Sequence, residues 1–420
     1  MKVFKFGGAS TNSLERIQNM AGIVQEFKHE PLWIVVSAMG KTTNALEKVA
    51  EAFYANDTKT ALELFAVIKN QHITTAKYLL VTEFNACIEQ LNDFFTEVEW
   101  LLHDKAVKPF DYYYDQIVCI GELLSTTIIA FYLQEIGINN QWVDVRDLLR
   151  TDNNFRDAGI DWEKSEQLVS QFLTQQTNKQ IFVTQGFIGA TDENESTTLG
   201  REGSDYTAAI FANLLNAKDV TIWKDVEGVM NADPKQFADA TIIEHLNFTE
   251  VIEMAYYGAQ VIHPKTIKPL QNKGIPLLVK CFTDINIPGT IIDEKKVKNL
   301  PPIIVVKNNQ VLMHLSSKDF SFVGEKPVMK LYEALSTLKL KPNLVQTGAI
   351  GVQVCLDDLP EKITNLALSL EAIFDVQIEK GLKLLSIRHY TNDIADKLLA
   401  NEKIVLEQKT PVIQQVLIKI

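Results

Sequence analysis

Hydrophobic positions open the chain in a short run, Lys2–Phe6 (KVFKF), stopped by Gly7-Gly8. An apolar run of that length bounded by glycines predicts a buried strand. The period then changes: over residues 11–27, Leu14, Ile17, Ile23 and Val24 recur at helical spacing. Leu32–Val36 (LWIVV) is a second buried strand, ending in Ser37-Ala38-Met39-Gly40. Strand, helix, strand in that order predicts a βαβ unit with a parallel sheet. Residues 43–102 are rich in Ala, Glu, Leu and Lys and lack proline, so they read as a helical insertion over one side of the sheet, extending to about residue 115. A further helix is expected over 121–137, strands over 180–187, 220–223 and 275–280, and helices over 250–257 and 264–271.

The segment 293–302 (DEKKVKNLPP) is charged and ends in two prolines, which marks a linker. Beyond it, short strands are expected at 303–306, 349–356, 383–387 and 414–420, with helices at 328–338 and 361–373. This β-α-β-β-α-β rhythm is ferredoxin-like. The fold class is therefore α/β, an open and mainly parallel sheet sandwiched by helices, plus a C-terminal pair of ferredoxin-like α+β units. The expected domains are 1–295 and 303–420.

Composition narrows the function. The chain carries 41 basic and 53 acidic side chains, a net charge of −12, which argues against nucleic-acid binding. It leaves room for an anionic substrate held in a local cationic pocket. The four cysteines, Cys87, Cys119, Cys281 and Cys355, lie far apart without metal-ligand spacing, so they are expected in the core. The N-terminus has no apolar leader, and the sequence shows no membrane-length apolar run. A cytoplasmic protein with no membrane partner is expected.

Three loops hold candidate chemistry. In Lys5-Phe6-Gly7-Gly8-Ala9-Ser10, a lysine at the end of a buried strand is costly unless it meets an anion. The two glycines let backbone amides approach phosphate oxygens, although a plain tight turn would use them too. Gly200–Ala209 (GREGSDYTAA) is a glycine-containing loop running into a helix. Arg201 offers a fork suited to a carboxylate, while Ser204 and Asp205 sit where helix N-caps belong. Trp223-Lys224-Asp225-Val226-Glu227-Gly228-Val229-Met230 and the following Ala232-Asp233-Pro234-Lys235 lie at the carboxyl end of a strand, where open α/β sheets bind ligands. Gly40-Lys41-Thr42 resembles the end of a P-loop, but the required earlier glycine is Val35. A GxGxxG fingerprint is absent.

In this order, the segments resemble the aspartate kinases of the amino-acid kinase superfamily. Lys5-Phe6-Gly7-Gly8, the Ser37–Asn44 loop, Gly121-Glu122-Leu123, Gln185-Gly186-Phe187, Gly200–Ala209, Trp223–Lys235 and the Gly258–Pro264 segment each match a family motif, and the likeness covers about residues 1–295. The remainder resembles the family's tandem ACT regulatory domains in rhythm. The resemblance implies transfer of the γ-phosphoryl group of ATP to the β-carboxylate of L-aspartate, the first step toward lysine, threonine and methionine. Lys5, Asp205 and Arg201 would be catalytic: Lys5 on the transferring phosphoryl group, Asp205 orienting Lys5 or the Mg²⁺ hydration shell, Arg201 on the α-carboxylate. Glu122 would pair with the α-ammonium, and Ser37, Thr43, Phe187 and Ser204 would shape the aspartate pocket. Lys5, Gly7, Gly8, Lys224, Asp225, Met230, Lys235, Gln260 and Val261 would hold ATP, with Mg²⁺ reached through the phosphates rather than by direct ligands. A homodimer through the ACT domains is implied.

Some positions depart from the family. Ala9 stands where the family has Thr, Lys224 replaces Thr, Met230 replaces Tyr and Gln260 replaces Lys. The region 316–327 (SSKDFSFVGEKP), where ACT domains bind effectors, is atypical, so the effector stays open between lysine, threonine and none. Rival readings are another amino-acid kinase relative, a catalytically weak amino-acid sensor, and a scaffold.

Overall fold

A computed structural model gives the structure of the chain and describes residues 1–176, 180–259, 262–319 and 321–420. It divides into two compact units: 1–229 with 242–252 and 261–297, and 230–241 with 253–260 and 298–420.

The strands of the first unit are β1 (Lys2–Phe6), β2 (Leu32–Val36), β3 (Gln141–Val143), β4 (Ile181–Gln185), β5 (Ile188–Ala190), β6 (Ser196–Thr198), β7 (Val220–Lys224), β8 (His245–Asn247), β9 (Leu277–Cys281) and β10 (Thr290–Asp293). Eight of them form one sheet in the order β3-β4-β2-β1-β7-β9-β10-β8, while β5 and β6 make a separate hairpin. Every pairing in the large sheet is parallel except β9 with β10. The central strands are buried on both faces, so their residues are apolar in runs rather than in alternation. Lys5, on β1, is the polar interruption in that core strand, paired between Val35 and Ile222.

The helices are α1 (Leu14–Glu26), α2 (Thr42–Tyr54), α3 (Thr58–Leu79), α4 (Phe84–His103), α5 (Phe110–Val118), α6 (Ile120–Glu135), α7 (Trp162–Thr174), α8 (Gly203–Leu214), α9 (Phe248–Tyr257) and α10 (Pro264–Gln271). The expected insertion is α2, α3 and α4, each amphipathic with a stripe of buried apolar positions. The stretch Phe110–Glu135 is long and apolar enough to cross a membrane, but 83% of its most apolar window is buried in the protein, which makes it a core element. α1 starts later than residue 11, because Ser13 caps it by accepting the Arg16 N–H and a 3₁₀ turn occupies Gly8–Thr11. α7 was not expected from the pattern, and α5 runs past residue 115, where the expected insertion ends.

The second unit contains β11 (Ile303–Ser317), α11 (Glu325–Thr337), β12 (Leu344–Thr347), β13 (Gly351–Asp357), α12 (Pro360–Leu370), β14 (Phe374–Arg388), α13 (Asn392–Leu399), β15 (Lys403–Lys409) and β16 (Ile413–Lys419). They form one six-stranded antiparallel sheet, β12-β13-β11-β14-β16-β15. α11 and α12 pack on a core built around Met313, Leu331, Val354 and Leu366, and α13 contributes Ala395 to a smaller one. β11 and β14 are 15 residues each, much longer than the fragments expected at 303–306 and 383–387. The register shifts between Lys307 and Gln310. Polar Lys307, Asn308 and Asn309 thus interrupt the alternation at a bulge without ending the strand. All four cysteines are free and buried.

Candidate active site

The carboxyl ends of β1, β2, β4 and β7 lie side by side, and each hands its next residues to one cleft of about 580 Å³. After β1 comes Gly8, whose close fit requires glycine: a Cβ there would lie 2.7 Å from the Ala38 carbonyl oxygen and 3.1 Å from that of Gly40. The Gly40 N–H donates to the Gly8 carbonyl and the Ser37 N–H to that of Phe6, so the two loops are tied. Ser37, Gly8 and Thr43 line the cleft. Gly7 lies against Lys5, its missing Cβ 3.2 Å from Nζ.

Beyond β4, Gly186 and Phe187 interlock with the start of α8. A Cβ on Gly186 would fall 2.5 Å from the Ser204 Cβ, and one on Gly203 would fall 2.6 Å from the Phe187 ring. Phe187 itself has φ 73°, a left-handed conformation that costs a phenylalanine on the order of 1–3 kcal/mol. The Thr207 Oγ1 accepts its N–H at 2.9 Å and holds the ring at the cleft wall. The expectation that Ser204 or Asp205 caps this helix is overturned. The cap is Glu202, itself left-handed at φ 54° and without a side-chain capping bond. Ser204 and Asp205 therefore sit in the first turn and face the cleft.

Asp205 is the charge hub. It is 4% exposed, with one carboxylate oxygen 2.7 Å from Lys5 Nζ and the other 3.5 Å from Lys224 Nζ. Burial alone would raise its pKa, but the two ammonium groups outweigh burial and hold it below the usual carboxylate value. The cluster is thus one carboxylate between two cations, a net positive site at the glycine-rich end of the cleft.

Glu122, in the first turn of α6, has the opposite environment. It is 2% exposed; Oε1 accepts the Ala38 N–H at 3.3 Å, and Oε2 has no hydrogen-bond partner among the described residues. Burial pushes its pKa up to about 8. A buried carboxylate oxygen that lines a cleft and lacks a partner is a seat for a cation. Gly121 permits this placement, since a Cβ there would press on Leu46, Ala38 and Thr42 at 3.0–3.2 Å. Arg201, across the same cleft, is exposed and makes no hydrogen bond or ion pair within the described residues, leaving its fork open.

Three other residues expected on the nucleotide, Asp225, Met230 and Lys235, do not line this cleft. Asp225 pairs with Arg16 on α1 and does not line the cleft. Met230 and Lys235 belong to the second compact unit, where the Lys235 N–H bonds Asp233. Gln260 and Val261 lie outside the described residues. Sequence reasoning missed Tyr114, Arg156 and Thr198, which line the cleft, and Asp115, which is buried behind it. Asp115 accepts the Arg156 N–H, the Thr198 N–H and the Thr198 hydroxyl at 3.0, 2.8 and 2.7 Å. These residues sit in an ordinary-looking helix, turn and strand, and only the fold brings them together.

Residues 1–281 match the amino acid kinase family. The lysine-sensitive aspartokinase 3 of Escherichia coli (strain K12) is 30% identical over 399 residues, covering 92% of this chain and 86% of that protein. The chloroplastic aspartokinase 1 of Arabidopsis thaliana is 30% identical over 404 residues, covering 92% of this chain and 70% of that one. The crystal structure of E. coli aspartokinase III in complex with aspartate and ADP (R-state) matches with a TM-score of 0.81 at 28% identity, covering 100% of this chain and 96% of that one. With the family pattern running from the first strand to the end of β9 and aspartokinases aligned over nearly its whole length, this chain belongs to the amino acid kinase family, among its aspartokinases.

Proposed function

We infer that the chain is an aspartate kinase, moving the γ-phosphoryl group of ATP onto the β-carboxylate of L-aspartate to give 4-phospho-L-aspartate, in the pathway that makes the aspartate-derived amino acids. The observation that carries this reading is the pairing of opposite environments in one cleft: a cationic Lys5–Asp205–Lys224 cluster and, on the same wall system, a buried Glu122 oxygen awaiting a cation. An amino acid that carries an ammonium and two carboxylates satisfies Glu122 and Arg201 and leaves its second carboxylate toward the cluster. The nucleophile is already ionised near neutral pH, so the reaction needs no general base. What it needs is positioning and positive charge, because two anions must meet in line.

In this reading Lys5 and the amides of Gly7 and Gly8 receive the phosphates, and Lys224 adds a second cation. Asp205 keeps both ammonium groups oriented. It is also the carboxylate that would face a Mg²⁺ carried on the phosphates, which suits an ion that keeps few protein ligands. The ion would neutralise phosphate charge. Ser37, Thr43, Phe187 and Ser204 bound the aspartate pocket. A cytoplasmic location fits four free, buried thiols. A homodimer fits the six-stranded sheet, whose end strands β12 and β15 each have a neighbouring strand on one side only. A panel of acceptors (aspartate, glutamate, N-acetylglutamate, carbamate and UMP) with ATP and Mg²⁺ tests the assignment. Product from aspartate alone supports it; product from another acceptor moves the chain to a different branch of the family, and no product from any favours a sensor.

A further inference from the structure

Arg156 stands on the turn between β3 and α7, at φ 70°, a left-handed conformation that glycine adopts freely and arginine does not. What the side chain does for the fold is slight. Its guanidinium reaches Asp111 at 3.2 Å and Glu47 at 3.6 Å, and all three side chains are 37–57% exposed. Exposed ion pairs of this kind add little to stability. The backbone, by contrast, is held firmly: the buried Asp115 carboxylate accepts the Arg156 N–H together with two donors from Thr198. The fold thus maintains a strained turn at a position where a glycine would be easier, and the arginine side chain it carries there lines the cleft.

The turn also abuts the loop that carries Arg201. Gly200 has φ 74°, and a Cβ there would lie 2.6 Å from the Asp157 carboxylate and 3.2 Å from the Arg156 carbonyl oxygen. Lys265 donates to both Asp157 and the Leu199 carbonyl, tying the same two segments. The Arg156 guanidinium lies over the Tyr114 ring at 4.2 Å. Stacking on a ring leaves the edge of a guanidinium free to donate. Among the described residues the guanidinium makes one hydrogen bond, to Asp111.

We propose that Arg156 is a second recognition residue for the amino-acid substrate, adding its guanidinium to that of Arg201 on the α-carboxylate, with Asp115 as its positioning residue. The proposal rests on the aspartate kinase reading. Two guanidinium groups from adjacent turns, facing a cleft whose buried carboxylate takes the ammonium, hold the α-carbon end of the substrate from both sides. The β-carboxylate stays clear of them, so its nucleophilicity is kept.

The test compares wild type with Arg156→Gly and Arg156→Gln, using ATP, Mg²⁺ and either L-aspartate or its α-carboxamide analogue, isoasparagine. Arg156→Gly relieves the backbone, so its melting temperature should not fall. Its KM for aspartate should rise about tenfold, the scale of one partly exposed charge-assisted hydrogen bond, with kcat and the ATP KM little changed. With isoasparagine, which lacks the α-carboxylate charge, the penalty should disappear. If the glycine variant folds poorly, Arg156→Gln decides by the same readout. An unchanged aspartate KM in the variant, or an equal penalty with isoasparagine, overturns the proposal. A wild-type enzyme inactive on aspartate would instead defeat the parent reading, and this one with it.

Discussion

Replacing Glu122 by glutamine separates what the carboxylate costs the fold from what it contributes to the site. Its pKa is raised from 4.5 to about 8 by burial. In the unfolded chain the same group loses its proton near its ordinary value, so between these limits the folded state binds the extra proton. Stability of the free protein therefore falls as pH rises through this window, by about 1.4 kcal/mol per pH unit well inside it. From pH 6 to pH 8 the loss is about 2 kcal/mol. Glu122→Gln, which cannot ionise, should lack this slope. The assay is urea unfolding of both proteins at pH 6, 7 and 8 without ligands, comparing each protein's change with pH rather than its absolute stability. Aspartate should reverse the effect in wild type, since its ammonium pairs with the ionised form. The aspartate KM of wild type should climb about tenfold per pH unit as pH falls below 8, whereas the variant's KM should be high and nearly flat. An identical stability slope in wild type and variant would refute the reasoning, because it would mean that Glu122 is not a proton-binding group of the folded state in this range.

Two further substitutions probe the rest of the cleft. Asp205→Asn removes the counterion between Lys5 and Lys224 and should lower kcat by about two orders of magnitude, the scale seen when a preorganised electrostatic partner is lost. Asp205, with a depressed pKa, also contributes stability at neutral pH that disappears as pH falls through its folded value, and the variant should not show that loss. Unchanged steady-state kinetics would sink the assignment. Gly186→Ala places a Cβ 2.5 Å from that of Ser204, so it should destabilise by about 1–3 kcal/mol and raise the aspartate KM through displacement of Ser204. Calorimetry and kinetics on the variant check both halves, and a neutral effect would mean that the β4–α8 contact is slack.

How much of this was legible in the sequence follows from how local each signal is. β1, β2, β4 and β7 are largely buried, so each is written mostly in apolar residues and closes on a polar or glycine stop, and the cleft lies at those stops. Lys5 stood out because it interrupts such a run. The start of α8 was misplaced because a capping side chain was sought, while the chain uses Glu202 in a left-handed conformation that the residue type does not announce. Asp115 was invisible for a different reason. Within Phe110–Val118 it reads as one more polar helix position, and its partners Arg156 and Thr198 are 41 and 83 residues away. β15 and α13 were missed in the C-terminal unit, where half-exposed elements mix polar and apolar positions without a clean period.

The most direct measurement is a single-turnover assay with ATP, Mg²⁺ and L-aspartate, in which hydroxylamine traps the acyl phosphate, run on wild type beside Lys5→Ala. The account predicts aspartate-dependent hydroxamate with matching ADP release from wild type, and loss of both in a folded Lys5→Ala protein. Hydroxamate formed equally well without the Lys5 ammonium, or none formed by the wild-type protein, would contradict it.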